Sequence, residues 1–209
     1  MRLARIYTVA KQVTECQAMN DTQYKRPDES DTTITELMIP SYANFGGKIH
    51  GGTLLSLMDK VAYACATKHA ENYCVTVAVE NVEFLQPVEV GDLVSMMARV
   101  NYAGRTSMVV GIRVTAENVK ERVVKHTNTS YFTMVAKGDD GNPATVPGLV
   151  LKNDVDLRRF AEAILRRNLK DYHQESMQEL RDSFDIEVTR SRLEQHNCKL
   201  ELDELGERQ

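Results

Sequence analysis

Asn44-Phe45-Gly46-Gly47-Lys48-Ile49-His50-Gly51-Gly52 runs directly into Thr53-Leu54-Leu55-Ser56-Leu57-Met58-Asp59. A glycine-dense loop leads into an apolar helix that carries one carboxylate two turns inside it. Glycines at 51 and 52 let a ligand approach bare backbone. The first amides of a helix have no internal partners and lie at its positive end. Such amides can hold a developing oxyanion, and Asp59 supplies a base or nucleophile nearby. Together they point to acyl transfer to water. The plainer reading is a tight turn before a helix with a solvated Asp.

Outward from this stretch, the helix spans about Thr53 to His69. Leu54, Leu57, Met58, Val61, Ala62 and Cys65 follow helical spacing, and Leu55, Tyr63, Ala64 and Ala66 widen the apolar surface. A helix apolar almost all round is buried, so Asp59 is expected to be partly buried. Before it, β-branched Thr32 to Ile39 reads as a strand ending at Pro40. After it come alternating Val75, Val77 and Val79, a run from Leu93 to Tyr102 with Met96-Met97 breaking the period, a clean alternation from Met108 to Ala116, and Val123 to Ala136. Gly91-Asp92, Gly104-Arg105 and Glu117-Asn118 fall where turns are needed. One strand, one buried helix and four antiparallel strands predict an α+β fold, a curved sheet wrapped around a central helix. No βαβ alternation is present, which disfavours a dinucleotide-binding domain.

A net charge of −4 gives no reason to expect nucleic acid as a partner, and 6% aromatic residues with no Trp argue against stacking on single strands. No run of 18 apolar residues occurs, so no membrane span is expected. Cys16, Cys65, Cys74 and Cys198 form no CxxC pair, so neither a metal site nor a disulfide framework is indicated, and the compartment reads as reducing. Cys65 reads as a small core residue. Residues 1–11 lack acids and faintly resemble an organelle transit peptide; a cytoplasmic protein with a short N-terminal extension is the preferred reading.

Residues 15–31 read as a linker. Beyond 154, Leu157, Phe160, Ala161, Ile164, Leu165, Leu169 and Tyr172 form an amphipathic stripe, with Asn153 or Asp154 as N-cap. Its burial against the sheet or a neighbouring subunit is expected. Arg158, Arg159, Arg166, Arg167 and Lys170 form the opposite face, either solvated or an approach for a phosphorylated ligand. The charged residues 174–209 form a second helix or stay partly disordered. The chain therefore divides into an extension at 1–31, a core at 32–147 and a helical, charged extension at 148–209.

Asn44, His50-Gly51-Gly52 and Met58-Asp59, together with the segments 75–92 and Gly104-Arg105-Thr106-Ser107-Met108, resemble the hot-dog acyl-CoA thioesterases of the acyl-CoA hydrolase branch. The resemblance covers about residues 32–147. It implies a hot-dog fold and hydrolysis of fatty or short-chain acyl-CoA to free acid and CoA, as in fatty acid metabolism. It also implies a homodimer with shared sites, often a hexamer built as a trimer of dimers. No cofactor or metal is implied beyond the CoA of the substrate. By position, Asp59 is the candidate base or nucleophile and Asn44 the residue that positions water or substrate. The backbone at Gly51 and Gly52 is the candidate oxyanion site, His50 orients the loop, and Arg105, Thr106 and Ser107 are candidates for CoA phosphates. Asp59 lies seven residues past Gly52, roughly 10 Å along the axis, so a carbonyl held at the helix start could be met by Asp59 of a second subunit. Tyr63, Phe84 and Met96 are expected near the acyl chain. Two other readings stay open: a non-catalytic acyl-CoA-binding regulator, which has no need of both Asp59 and Asn44, and a hot-dog dehydratase, which typically uses a His where Asn44 stands.

Overall fold

The computed structural model describes residues 23–193 and 195–199, with nothing described of the Glu187 side chain. The transit-peptide reading of the first residues and Cys16 lie outside the described residues. The chain divides between Ile164 and Leu165 into two compact units.

In the first unit, five antiparallel strands lie in the order β2-β4-β5-β6-β3. They are β2 (Thr32–Leu37), β3 (Tyr73–Val79), β4 (Leu93–Ala103), β5 (Ser107–Asn118) and β6 (Val123–Lys137). Helix α1 (Gly51–Ala70) packs on all five. The expected strand–helix–strands pattern is the observed one, a hot-dog curl of sheet around helix. Two short strands, β1 (Tyr24–Lys25) and β7 (Gly148–Leu149), pair in parallel and join the flanks of the 32–147 segment.

Strand alternation decides which side chains meet α1. Val94, Met96, Ala98 and Val100 of β4, Met108, Val110, Ile112 and Val114 of β5, and Phe132, Met134 and Ala136 of β6 are buried. The Met96-Met97 pair does not break the period, because Met96 is buried and Met97 faces outward. α1 turns Leu54, Leu57, Met58, Val61, Ala62 and Cys65 to this surface. Burial pushes the Cys65 thiol up to about 12, as expected of a core cysteine. Five methionines, Met38, Met58, Met96, Met108 and Met134, are at most 1% exposed.

Two turn expectations resolve differently. Gly104-Arg105 does link β4 to β5, with the Gly104 amide donating to the Ser107 carbonyl. Glu117-Asn118 instead lies within β5, and the chain reverses over 119–122, where Arg122 takes a left-handed φ of 55°. Asn118 still shapes that turn, because its Oδ1 accepts from the Lys120 and Glu121 amides.

Near the end of α1, His69 is 1% exposed, and its Nε2 meets the Pro147 carbonyl at 2.8 Å. Its Nδ1 is buried without a partner, and Lys25 Nζ donates to the His69 carbonyl and to Glu71. Burial holds the imidazole below its usual value, more strongly than the Pro147 contact raises it. The unfolded chain therefore binds the proton more readily, and stability is lost as pH falls below the ordinary His value of about 6.5. We expect urea midpoints to drop over that window in the wild type and to drop less in His69→Gln. Equal slopes in both would remove His69 as the source.

Within one chain the C-terminal stripe is only partly covered, through Phe160. Helix α2 (Asp154–Asp182) starts with Asn153 Oδ1 accepting from the Asp156 amide, so Asn153 is the cap. Asn153→Ala should lower thermal stability by about 1 kcal/mol, read from the melting transition. The residues α2 buries in the first unit are Asp156 and Ala163, and Phe160 lies 5.0 Å from Tyr102. Arg99, fastened to Asp31, lies 3.9 Å from Asp156. Leu157 and Ile164 stay exposed. The first turns face inward with the 156/160/163 side, which shares Phe160 with the stripe and sets Asp156 near Arg99. The second unit contains the rest of α2 and α3 (Ile186–Leu193), and its Leu165, Leu169 and Tyr172 are exposed. Among the described residues, no helix is long and apolar enough to cross a membrane, and no group of His, Cys, Asp or Glu could hold a metal ion.

Candidate active site

The loop before α1 is a small closed hairpin. The Asn44 amide donates to the Lys48 carbonyl at 2.7 Å, and the Gly47 amide to the Asn44 carbonyl at 3.0 Å. Asn44 Oδ1 accepts from the Gly46 and Lys48 amides at 2.9 and 3.2 Å. Gly47 takes a φ of +77°, a conformation open to glycine. The Asn44 oxygen is thus spent on the loop, and its Nδ2 is the group left to donate outward. Phe45, at the tip, projects fully into solvent.

At the helix start the two glycines separate in role. The Gly52 amide donates to His50 Nδ1 at 2.9 Å, making His50 the N-cap. An accepting Nδ1 leaves the ring proton of a neutral His50 on Nε2. The Thr53 amide donates to the His50 carbonyl at 2.9 Å. Among the described hydrogen bonds, the Gly51 amide has no acceptor, so it is the first-turn donor open to a ligand. A Cβ on Gly51 would lie 3.2 Å from the Phe84 ring, so glycine here lets Phe84 lie against the helix start.

Asp59 is exposed, not partly buried as the apolar helix implied. The sheet covers the Leu54/Met58/Val61 side and leaves the Ser56, Asp59, Lys60 and Tyr63 side open. Asp59 Oδ1 accepts from Thr76 Oγ1 at 2.6 Å. Thr76 lies where β3 breaks register with β6, between Thr76 and Ala78. Such irregularities re-aim side chains beside active sites. Thr76 was not singled out in the sequence; only the pairing of β3 beside α1 brings it to Asp59.

Asp59 opens into a cleft of about 630 Å³ lined by Leu55, Ser56, Val79, Phe84 and Phe132 among others. A second cleft of about 410 Å³ holds Tyr42, His50, Gly52, Ser56 and Lys60. Ser56 borders both, so the helix start and Asp59 occupy adjoining spaces. Tyr42 donates to Glu36, whose carboxylate raises the phenol above its usual value. Asn44 lines neither cleft, and neither do Arg105, Thr106 and Ser107. That hairpin braces the chain instead: the Arg105 carbonyl accepts from Val146 and the Thr106 carbonyl from Ala136. Of the residues expected near an acyl chain, Phe84 lines the cleft, Met96 is core, and Tyr63 packs 6.1 Å from Tyr73 on the outside.

A helix wrapped by this curled antiparallel sheet defines a hot-dog protein. The Thioesterase superfamily profile matches residues 46–123, and the chain belongs to that superfamily. Protein VdlD of Helicobacter pylori strain 26695 is 41% identical over 143 residues, 68% of this chain and 82% of VdlD. A solved apo-hexameric acyl-CoA thioesterase superposes with a TM-score of 0.70 and 32% identity, over 73% of this chain and 97% of that one. An acyl-CoA hydrolase from Staphylococcus aureus, solved with butyryl coenzyme A and coenzyme A, superposes with a TM-score of 0.67 and 30% identity, over 77% and 99%. Alanine variants of that enzyme were solved at one Asn, one Asp and one Thr. Their intervals of 15 and 17 residues are those of Asn44, Asp59 and Thr76.

Proposed function

We propose that this protein is an acyl-CoA thioesterase in which Asp59 activates water at a site shared by two copies of the chain. The observation that carries it is the Asp59–Thr76 hydrogen bond at the mouth of an apolar cleft. The intervals shared with the Asn, Asp and Thr replaced in the Staphylococcus aureus hydrolase support it. The thioester oxygen lies at the start of the second copy's α1, beside that copy's Asn44, and accepts from its Gly51 amide, because Asp59 of the same helix is roughly 10 Å further along the axis. Thr76 holds one Asp59 oxygen and leaves the other to take a proton from water. The oxygen of that water bonds to the carbonyl carbon, and negative charge moves to the carbonyl oxygen. When the tetrahedral intermediate collapses, the C–S bond breaks and the CoA sulfur takes the proton back from Asp59. The products are free acid and CoA, and no cofactor enters.

Asn44 reaches this chemistry from the second copy. It lines neither cleft of its own chain, and its Nδ2 is left to donate. β3 is an edge of the sheet, with Tyr73, Val77 and Val79 exposed along it. An apolar edge of this kind is covered by pairing. A homodimer through this face, and assembly to a hexamer like the superposed thioesterase, follow from the same reading.

Release of CoA thiol from a series of acyl-CoAs tests the activity directly; no release from any of them ends the reading. Thr76→Val should lower kcat about 10-fold, the scale of one hydrogen bond to a charged group, with Thr76→Ser restoring most of it. An unchanged kcat in Thr76→Val would show that the bond does not serve catalysis.

A further inference from the structure

We propose that Phe45 crosses the interface beside Asn44 and forms one wall of the partner's acyl cleft, so that it sets which acyl chains are cleaved. The inference rests on the thioesterase reading above and adds a residue to it.

Two observations carry it. The first is the state of Phe45. Its ring is more exposed than in an extended reference chain, at 113%, although the loop is closed by four hydrogen bonds and by the Ala43–Ile49 bridge. The exposure therefore comes from a braced hairpin, not from a loose one. The pre-ordered loop holds the aromatic outward, and none of the described residues covers it. The second is the cleft at Asp59. Leu55, Val79, Phe84 and Phe132 line it, and Val79 and Phe84 remain 45% exposed. The cleft is mostly apolar, with Ser56, Glu80 and Asn81 also on its lining, and it is open to solvent.

The occupant is a second copy of this chain. Asn44 and Phe45 are adjacent, so a hairpin that brings Asn44 to the partner's Asp59 also carries Phe45 to that interface, with its Cα about 3.8 Å from that of Asn44. An aromatic ring there closes the open side of an apolar cleft. It offers an acyl chain a surface to pack on and leaves a methyl thioester, as in acetyl-CoA, little to touch. Discrimination between chain lengths then comes from Phe45, and the chemistry from Asp59, Thr76 and Asn44.

The test measures kcat/KM on the intact protein across saturated acyl-CoAs of increasing length. Phe45→Ala should lower the ratio of long-chain to acetyl-CoA turnover about tenfold or more, the scale of one to a few lost methylene contacts. Phe45→Leu should restore part of that ratio. A wild type that cleaves no acyl-CoA fails the thioesterase reading. A wild type that cleaves them, with a Phe45→Ala length profile parallel to its own, overturns the Phe45 proposal alone. Mixed assemblies place the residue across the interface. Asp59→Ala and Asn44→Ala chains reconstitute one site, with Asn44 and Phe45 from the first chain and Asp59 from the second. Phe45→Ala should alter the length profile of the recovered activity when carried on the Asp59→Ala chain. The same alteration when it is carried on the Asn44→Ala chain instead would place Phe45 in the site of its own chain and overturn the proposal.

Discussion

Asp59→Asn is expected to lower kcat for acyl-CoA by about 10²–10⁴-fold, the range typical for loss of a general base. The melting temperature should hardly move. Asp59 is exposed, its one described hydrogen bond comes from Thr76, and an Asn oxygen can accept from the same hydroxyl. The substitution is therefore conservative for the fold and severe for the chemistry. Thermal melting and CoA release on the same preparation separate the two. A kcat within threefold of wild type, the fold being intact, would take Asp59 out of the mechanism. Asn44→Ala gives a companion measurement, but it also removes the oxygen that holds the Gly46 and Lys48 amides, so its effect mixes catalysis with loop order.

Phe132→Ala should cost about 3–5 kcal/mol of stability, as for large aromatic residues in packed cores. Phe132 is 1% exposed on β6, pairs in register with Val110 and Val79, and lines the Asp59 cleft. Its removal enlarges the cleft as well as loosening the core. Urea unfolding should show the drop as a lower midpoint with an unchanged slope. A midpoint within the range of a surface substitution would mean that the cleft closes over the gap.

The fold was legible because period-2 alternation over 108–116 and helical spacing over 54–65 are both long and uninterrupted, and nothing in the tertiary structure overrides them. The Met96-Met97 pair shows how a local break misleads: two apolar neighbours in a strand need not share a face. Thr76 was not legible, since its function depends on a register irregularity of β3 and on which strand lies beside α1. Both are long-range facts. The open face of α1 was also hidden. Tyr63 and Leu55 read as core by hydropathy, yet the sheet covers only one side of the helix. The division of labour between Gly51 and Gly52 needed geometry, because only the His50 ring decides which amide is taken. In α2, the inner face carries Asp156 beside Phe160 and Ala163, so a hydrophobic criterion found only part of it.

The sulfur lining of the interior has a chemical consequence. Met58 accepts from Asn128 Nδ2, Met134 Sδ lies 3.3 Å from Thr76 Oγ1, and both methionines are 0% exposed. Peroxide attacks thioethers it can touch, and a sulfoxide is too polar for an apolar core. These two sulfurs are reached only when the sheet parts from the helix, so their oxidation proceeds at the frequency of that opening. Cys198 is exposed and reacts without any opening. The protein thus contains a fast and a slow oxidisable group, and mass spectrometry of partly oxidised samples would time the breathing of its interior against its surface.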